Sequence, residues 1–310
     1  MKNKPTITIG IPAHNEEKNI SNLLESVLGQ KGNFLIKTIY VVCDGCSDQT
    51  VKIAANFRTK TKLIKVINSP NRLGKMKRLN QIYSLNTSDY LFTFDADIVL
   101  SNNKVIENMV RKFRNNKSVV LVAAHQIPIM PDTFTGKILY TSNRIWEEVR
   151  IGVNDGDHIH NLQGSATALS KILAKHIHYP STLTTDQNYL YLMAQHYGKF
   201  AYCKDAEILY RSTQSIYDFR LQASRSIYQD KKTIVEHFGH DIIDVYQVPL
   251  LFKIRAISKI MLHSPILTTL AILLNIYVRI NPRKDKGATN KKWEMVQSTK
   301  LPIDKKWFAI

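Results

Sequence analysis

Cysteine is scarce in this chain: the 310 residues hold three, Cys43, Cys46 and Cys203. So low and odd a count excludes a disulfide framework and fits a reducing compartment. Cys43-Asp44-Gly45-Cys46 spells C-x-x-C, but no second pair exists to complete the four ligands of a structural zinc. The two cysteines read instead as small residues around a strand-end turn. Long apolar runs are also missing. The most apolar stretch, 266–278, contains Thr268, Thr269 and Asn275 and falls short of the roughly 20 residues that span a bilayer. Extending it backwards meets Pro265, His263 and Lys259, so an interfacial or core helix is expected, with a single span as the alternative. Internal repeats, low-complexity tracts, zinc-finger spacing and the interleaved basic, glycine and aromatic residues of RNA-binding modules are all absent. Residues 1–5 run straight into a strand, so no signal peptide is expected.

Acid is the other shortage. Twenty-five Asp and Glu face 43 Lys and Arg, for a net charge of +18. That balance calls for a polyanionic partner, and with no nucleic-acid signature an anionic membrane surface is the expected one. Hydrophobic content of 44% and charged content of 22% are those of a globular protein.

The first 125 residues alternate between two periodicities. Short β-branched or aromatic runs occur at 6–11, 37–42, 63–67, 90–94 and 119–124. Ile20, Leu23, Leu24, Val27 and Leu28 repeat at helical spacing between the first two. After the fourth, Ser101 offers an N-cap to a stripe of Val105, Ile106, Met109, Val110 and Phe113. Strand and helix alternating in this way predict an α/β fold, a doubly wound, mostly parallel sheet with helices on both faces. Beyond it, 140–151 and 186–197 read as helices and 152–164 as a polar loop. In 250–261, Leu250, Ile254, Ile257 and Met261 oppose Arg255 and Lys259, a basic amphipathic pattern. The expected organisation is a main domain at 1–238, a helical membrane-associated segment at 239–282 and a basic tail at 283–310.

Ligands in such sheets bind beyond the carboxyl ends of the strands, where every polar cluster of interest falls. The first strand is followed by Pro12-Ala13-His14-Asn15-Glu16, leading into a helix start that suits an anion. The second ends at Asp44-Gly45, where a carboxylate can accept from a base N–H; Asp48 nearby reads as a helix N-cap. The third is followed by Asn71-Arg72-Leu73-Gly74-Lys75, a glycine and a cation placed for phosphates. The fourth ends in Asp95-Ala96-Asp97, two carboxylates one residue apart that make a hard-oxygen site for Mg²⁺ or Mn²⁺.

These four segments, in this order, resemble the family 2 glycosyltransferases of the GT-A fold, over residues 6 to about 230. Gln163-Gly164-Ser165-Ala166 looks like the acceptor-side glycine segment. Thr184-Thr185-Asp186 stands where the family carries its catalytic acidic segment. Gln222-Ala223-Ser224-Arg225-Ser226 resembles the Gln-x-x-Arg-Trp element of polysaccharide synthases, with Ser226 in place of the tryptophan, which argues against processive polymerisation. The resemblance implies inverting, metal-dependent transfer from a nucleoside diphosphate sugar, a UDP-sugar first, to a lipid-linked or saccharide acceptor. By it, Asp44 would meet the nucleobase, Asp95 the ribose and metal, Asp97 the metal, and Asp186 would be the base. Pro12, Ala13, Asn15, Glu16, Lys75 and Ala96 would complete the donor site, with Gly164, Ser165, Gln222 and Arg225 on the acceptor and diphosphate side. The place of work would be the cytoplasmic face of the cell membrane, with the chain peripheral or single-span.

Two other classes stay open on the residues alone. A haloacid-dehalogenase-like phosphatase also uses Asp-x-Asp after an apolar strand, with Asp95 as nucleophile and Asp97 as acid. A non-catalytic basic module on membrane or nucleic acid would account for the charge and not for the clustered carboxylates. His158 and His160 read as a solvated loop rather than metal ligands, and Trp146 as helix-face packing rather than a sugar platform.

Overall fold

The computed structural model describes residues 4–183, 185–227, 231–239, 243–281 and 296–304. The predicted alternation forms as β1 (Thr6–Ala13), α1 (Ile20–Leu28), β2 (Leu35–Asp44), α2 (Thr50–Asn56), β3 (Ile64–Ser69), α3 (Lys75–Ser84) and β4 (Tyr90–Phe94). There follow β5 (Ile98–Leu100), α4 (Val105–Asn115), β6 (Val119–Pro128) and α5 (Phe134–Gly152). The next group is β7 (Ala166–Ser170), α6 (Lys171–His176), α7 (Gln187–Tyr197) and β8 (Lys199–Tyr210). Helices α8 (Ile216–Ile227), α9 (Lys231–Phe238), α10 (Leu250–His263) and α11 (Pro265–Ile280) complete the labelled elements. Helix α4 begins after Lys104 rather than at the expected Ser101 cap, because Asn102 Oδ1 takes the Lys104 N–H first.

One eight-stranded sheet runs in the order β3-β2-β1-β4-β7-β6-β8-β5. It is mixed, which corrects the expectation of a mostly parallel sheet. β1, β2, β3 and β4 pair in parallel, as do β6 and β8, while β7 runs antiparallel to β4 and β6, and β5 antiparallel to β8. An antiparallel strand presents its amino end where its neighbour presents its carboxyl end. Ala166 pairs with Phe94 and Tyr210 with Ile98, so Gly164-Ser165 and the residues after Tyr210 are delivered beside Asp95-Ala96-Asp97. Strand order turns back at β1, between β2 and β4, which is where crevices open in such sheets.

Both sheet faces are covered. One core packs α1 and α4 (Ile20, Leu23, Leu24, Val105, Ile106, Met109) on Ile9, Phe92 and Phe94. The other packs α3, α6 and α7 (Leu79, Ile82, Leu173, Leu190) on Leu91, Leu121 and Leu169. Strands buried on both faces read as continuous apolar runs, as 119–124 in β6 does.

The C-terminal helices lie on α5, α10 and α11 each packing against it, and α11 also against α8. In α10 the buried residue is Ala256, whose small side chain allows a close approach, while Leu250 and Ile254 are exposed. Lys259, expected on the solvent side, pairs with Glu148 of α5 at 2.7 Å. Ile257 and Met261 of the apolar stripe are half-buried, and Arg255 and Lys259 stay exposed. No helix among the described residues is long and apolar enough to cross a membrane.

At Gly10 in β1 an added Cβ would lie 2.2 Å from Ile82 Cγ2 and 3.2 Å from its Cβ. Helix α3 sits that close to the sheet, and α3 carries Lys75. Gly10→Ala should therefore destabilise the fold by about 1–3 kcal/mol, the usual cost of overpacking. Equilibrium urea unfolding measures it, and an unchanged midpoint would show that Ile82 yields freely.

Candidate active site

A cavity of about 820 Å³ opens over the carboxyl ends of β1, β2 and β4. Of the residues predicted for a donor site, Pro12, Ala13, Glu16, Asp44, Lys75, Asp95, Ala96 and Asp97 line it, as do Ser165 and Gln222 from the acceptor set. Asn15 does not. With φ 52°, it turns its amide into the 45–48 loop, accepting from Ser47 N–H at 2.9 Å. Asp48 stands one residue outside the cap of α2 but performs that task, accepting from Thr50 N–H at 3.0 Å and from Glu17 N–H at 3.0 Å. Helix α8 carries Arg225, whose side chain lies outside the described residues, as does Thr184.

Asp44 is 4% exposed and its carboxylate takes three donors from the chain around it. Oδ1 accepts from Leu73 N–H (2.7 Å) and Arg78 Nε (2.8 Å), and Oδ2 from Gly74 N–H (2.8 Å). A carboxylate has about four acceptor positions, so Oδ2 keeps capacity for one more donor. Gly45 makes the arrangement possible: at φ +62° a Cβ there would lie 2.6 Å from Arg72 N.

Lys75 begins α3, and its ammonium does not lie free for phosphate. It bridges Asp95 Oδ1 at 2.7 Å and Asp186 Oδ2 at 3.1 Å, and also donates to Gly164 O at 3.3 Å. Burial alone would lower its pKa, but the two carboxylates outweigh that and hold it well above the ordinary lysine range. Desolvation pushes Asp95 the other way, up to about 6, with Asp97 and Asp186 adding repulsion and Lys75 opposing it. Asp186, at the start of α7, makes no side-chain cap bond, so its carboxylate is left to Lys75. It is 7% exposed and rests against Gly164, where a Cβ would lie 2.7 Å from both its oxygens. Gln187, its neighbour, lines the cavity. Ser165 O accepts from Asp95 N–H at 2.8 Å, closing the ring of predicted residues.

Three participants carry no local signature that sequence reading used. Arg78 shares a helix face with Lys75 at i+3 spacing and holds Asp44. Arg150 lines the far wall and packs on the Gln163 amide, which in its satisfied orientation donates to Gln126 Oε1 at 2.6 Å. Lys300, from the tail, contacts Glu16 Oε1 and lies 3.4 Å from Asp97 Oδ2. Glu16 is pushed up to about 7, by burial first and Asp97 second, against the pull of Lys300.

His158 and His160 are half-buried rather than solvated. His160 Nε2 meets Tyr246 O at 2.9 Å, and burial lowers its pKa to about 4. Trp146 both packs beside Val149 and lines the cavity. Cys43, Cys46 and Cys203 are free thiols.

The profile of glycosyl transferase family 2 matches residues 8–177, more than half of the chain. The chain belongs to that family. Membership removes the phosphatase and the non-catalytic readings. Among curated relatives, the probable glycosyltransferase YdaM of Bacillus subtilis is 36% identical over 100 residues, 31% of this chain and 24% of that one. A dolichyl-phosphate beta-glucosyltransferase of Trichomonas vaginalis is 26% identical over 135 residues, 40% of this chain and 41% of that one. The matched stretches thus span less than half the length of these relatives. Among solved structures, the mannosyltransferase PcManGT from Pyrobaculum calidifontis, in complex with GDP-Man and Mn²⁺, has a TM-score of 0.59 at 16% identity, covering 93% of this chain and 78% of that one. S. aureus TarS 1-349 in complex with UDP has a TM-score of 0.52 at 18% identity, covering 89% and 87%. These share the fold.

The donor set suits the Mg²⁺ or Mn²⁺ that family 2 chemistry calls for. Asp97 offers hard oxygens at the cavity with its side chain 27% exposed. No three His, Cys, Asp or Glu side chains among the described residues form a metal cage by themselves. That fits an ion completed by substrate phosphates and water.

Arg78 is the clearest stability test in this site. Arg78→Met would leave the Asp44 carboxylate with two backbone donors in a buried setting. Losing one partner of a buried ion pair costs about 3–5 kcal/mol, measurable by urea unfolding. A loss under about 1 kcal/mol would mean that the 72–74 loop holds Asp44 unaided.

Proposed function

We propose that this chain transfers a sugar from a nucleoside diphosphate sugar, a UDP-sugar first, to an acceptor hydroxyl with inversion at the anomeric carbon. The observation that carries the reading is the Lys75 bridge. It draws the Asp-Ala-Asp triplet and Asp186 onto one cation, placing a single candidate base beside the donor carboxylates. An inverting displacement needs one base on the acceptor side and charge stabilisation on the leaving diphosphate. Asp97, with Asp95 beside it, would hold Mg²⁺ or Mn²⁺, and the ion when bound neutralises charge on the departing diphosphate. Asp44 would accept from the nucleobase through the capacity left on Oδ2, within a loop already fixed by Arg78. Asp186 would take the acceptor proton, and Gly164, having no side chain, leaves its carboxylate room. Lys75, 3.1 Å from Asp186 Oδ2, holds that carboxylate in position.

Asp186→Asn should lower transfer by about 10²–10⁴-fold, the range for losing a general base, with donor affinity kept. Product formation and nucleotide calorimetry on the same preparation check both halves. Full activity in the variant would move the base elsewhere.

The acceptor reading rests on the other half of the cavity. Its walls there come from α5 (Asn143, Trp146, Arg150) and α11 (Asn275, Val278, Arg279). Arg150 is held below the ordinary arginine range by burial, and its guanidinium packs on an amide rather than a carboxylate. A desolvated cation of this kind suits an anionic acceptor head. The other side of α11 exposes Ile266 (72%), Leu273 and Ile280, and the adjoining α10 exposes Leu251 and Leu262 (85%). A lipid-linked acceptor with an anionic head joins these facts: the head enters between α5 and α11 while the apolar face rests in the interface. The excess of basic charge would add about 1 kcal/mol per residue near an anionic leaflet, expected at the cytoplasmic face.

Full-length protein should float with anionic liposomes at low salt. The variant Leu251→Glu/Leu262→Glu/Ile266→Glu, altered only on exposed positions, should lose most of that binding. Equal flotation of the two, or none with the parent, would return the acceptor to the soluble class.

A further inference from the structure

Residues 296–304 return from the C-terminal side to the donor half of the cavity. Ile303 is buried with Val99, Ile129 and Leu209. Asn19 Nδ2 donates to Lys300 O (3.2 Å) and Asn22 Nδ2 to Ile303 O (2.8 Å). Arg211 donates to Leu301 O (3.2 Å) and Pro302 O (2.6 Å). Ser298 N–H donates to Asp218 Oδ2 (3.0 Å), and Ser298 Oγ accepts from Gln214 N–H (3.0 Å). The segment is thus stitched to α1, to the chain after β8 and to the start of α8 by contacts that do not involve the Lys300 ammonium.

That ammonium is carried onto Glu16 and toward Asp97. Asp95 is already compensated by Lys75, so Lys300 supplies the positive charge for the remaining donor-side carboxylates. Asp97 is the group expected to hold the divalent ion. An ammonium and a divalent ion at one carboxylate repel each other across a poorly screened gap.

We propose that Lys300 is a tethered counter-cation that keeps free Mg²⁺ or Mn²⁺ out of the empty site, so that the ion enters only together with a nucleoside diphosphate. The inference rests on the metal-dependent reading above and deepens it. The carboxylates alone, half neutralised by Lys300, offer a divalent ion too little charge and too few ligands. A diphosphate supplies both. The strap stays in place through its backbone anchors, so the exchange needs only a side-chain movement. It would make metal and nucleotide binding cooperative and would spare the enzyme from being trapped with metal and no donor.

The test is Mn²⁺ binding by electron paramagnetic resonance of the free ion, on full-length protein with and without UDP or GDP. Parent protein should bind Mn²⁺ alone weakly and at least ~10-fold tighter with nucleotide, within the usual range of coupling between sites. Lys300→Met should bind Mn²⁺ alone ~10-fold tighter than the parent, with the nucleotide effect reduced to match. Should that variant not fold, Lys300→Gln, which keeps a hydrogen-bond donor for Glu16, carries the same test. Unchanged affinity for Mn²⁺ alone overturns the proposal. So does a loss of nucleotide affinity, which would make Lys300 a phosphate contact. If the parent binds neither nucleotide with Mn²⁺, the metal-dependent reading falls first and this proposal with it. Asp97→Asn separates the cases, because it should abolish Mn²⁺ binding in either background.

Discussion

Five carboxylates and three cations, interlocked at the carboxyl ends of β1, β2 and β4, are the constraint on which the rest of this structure depends. Asp44 is held by Arg78, Asp95 and Asp186 by Lys75, and Glu16 with Asp97 by Lys300. Unpaired charges in so shielded a place would cost several kcal/mol each. Pairing them in this pattern ties three strand ends, α3, α7 and the tail together. Positions that look independent along the chain are therefore coupled: moving Lys75 disturbs the donor side and the candidate base at once.

The mixed sheet is what allows the pattern. Parallel strands alone would bring β1, β2 and β4 to one edge and stop there. The reversal at β7 delivers Gly164-Ser165 to Asp95, and the pairing of β5 with β8 delivers Arg211 toward Asp97. Parallel strands thus frame one side of the cavity, and antiparallel pairing brings residues from later in the chain to meet it. The same geometry gives Gly164 its place, since a side chain there would occupy the space of the Asp186 carboxylate.

The C-terminal helices extend the argument from the pocket to the surface. Their inner faces, with Ala256, Ala271 and Val278, close on the protein, and Asn275 Nδ2 reaches Ser142 Oγ at 2.8 Å. Their outer faces carry large apolar side chains into solvent. Helix α11, which walls the half of the cavity proposed for the acceptor, thus also presents an apolar surface, continued by α10. That continuity would let an acceptor pass from an interface to the reacting centre without crossing bulk water.

Local pattern determined much of this protein. The helical stripe from Ile20 to Val27, the stripe on α4 and the run 90–94 are legible because periodicity is a property of neighbours along the chain. So are the clusters at Asp44 and Asp95-Ala96-Asp97, since a polar turn after a buried strand stands out in one dimension. Tertiary structure alone decided the rest. Strand direction depends on connections between distant segments, so the antiparallel β7 and β5 left no local trace. Which side of α10 packs on α5 depends on what lies there: spacing identified an apolar stripe, and the contact is made around the small Ala256, which the stripe does not include. Lys300 and Asp97 lie 203 residues apart, and Arg78 meets Asp44 across a loop. Charge compensation in a buried site is set by distances in space, and no periodicity along the chain encodes it.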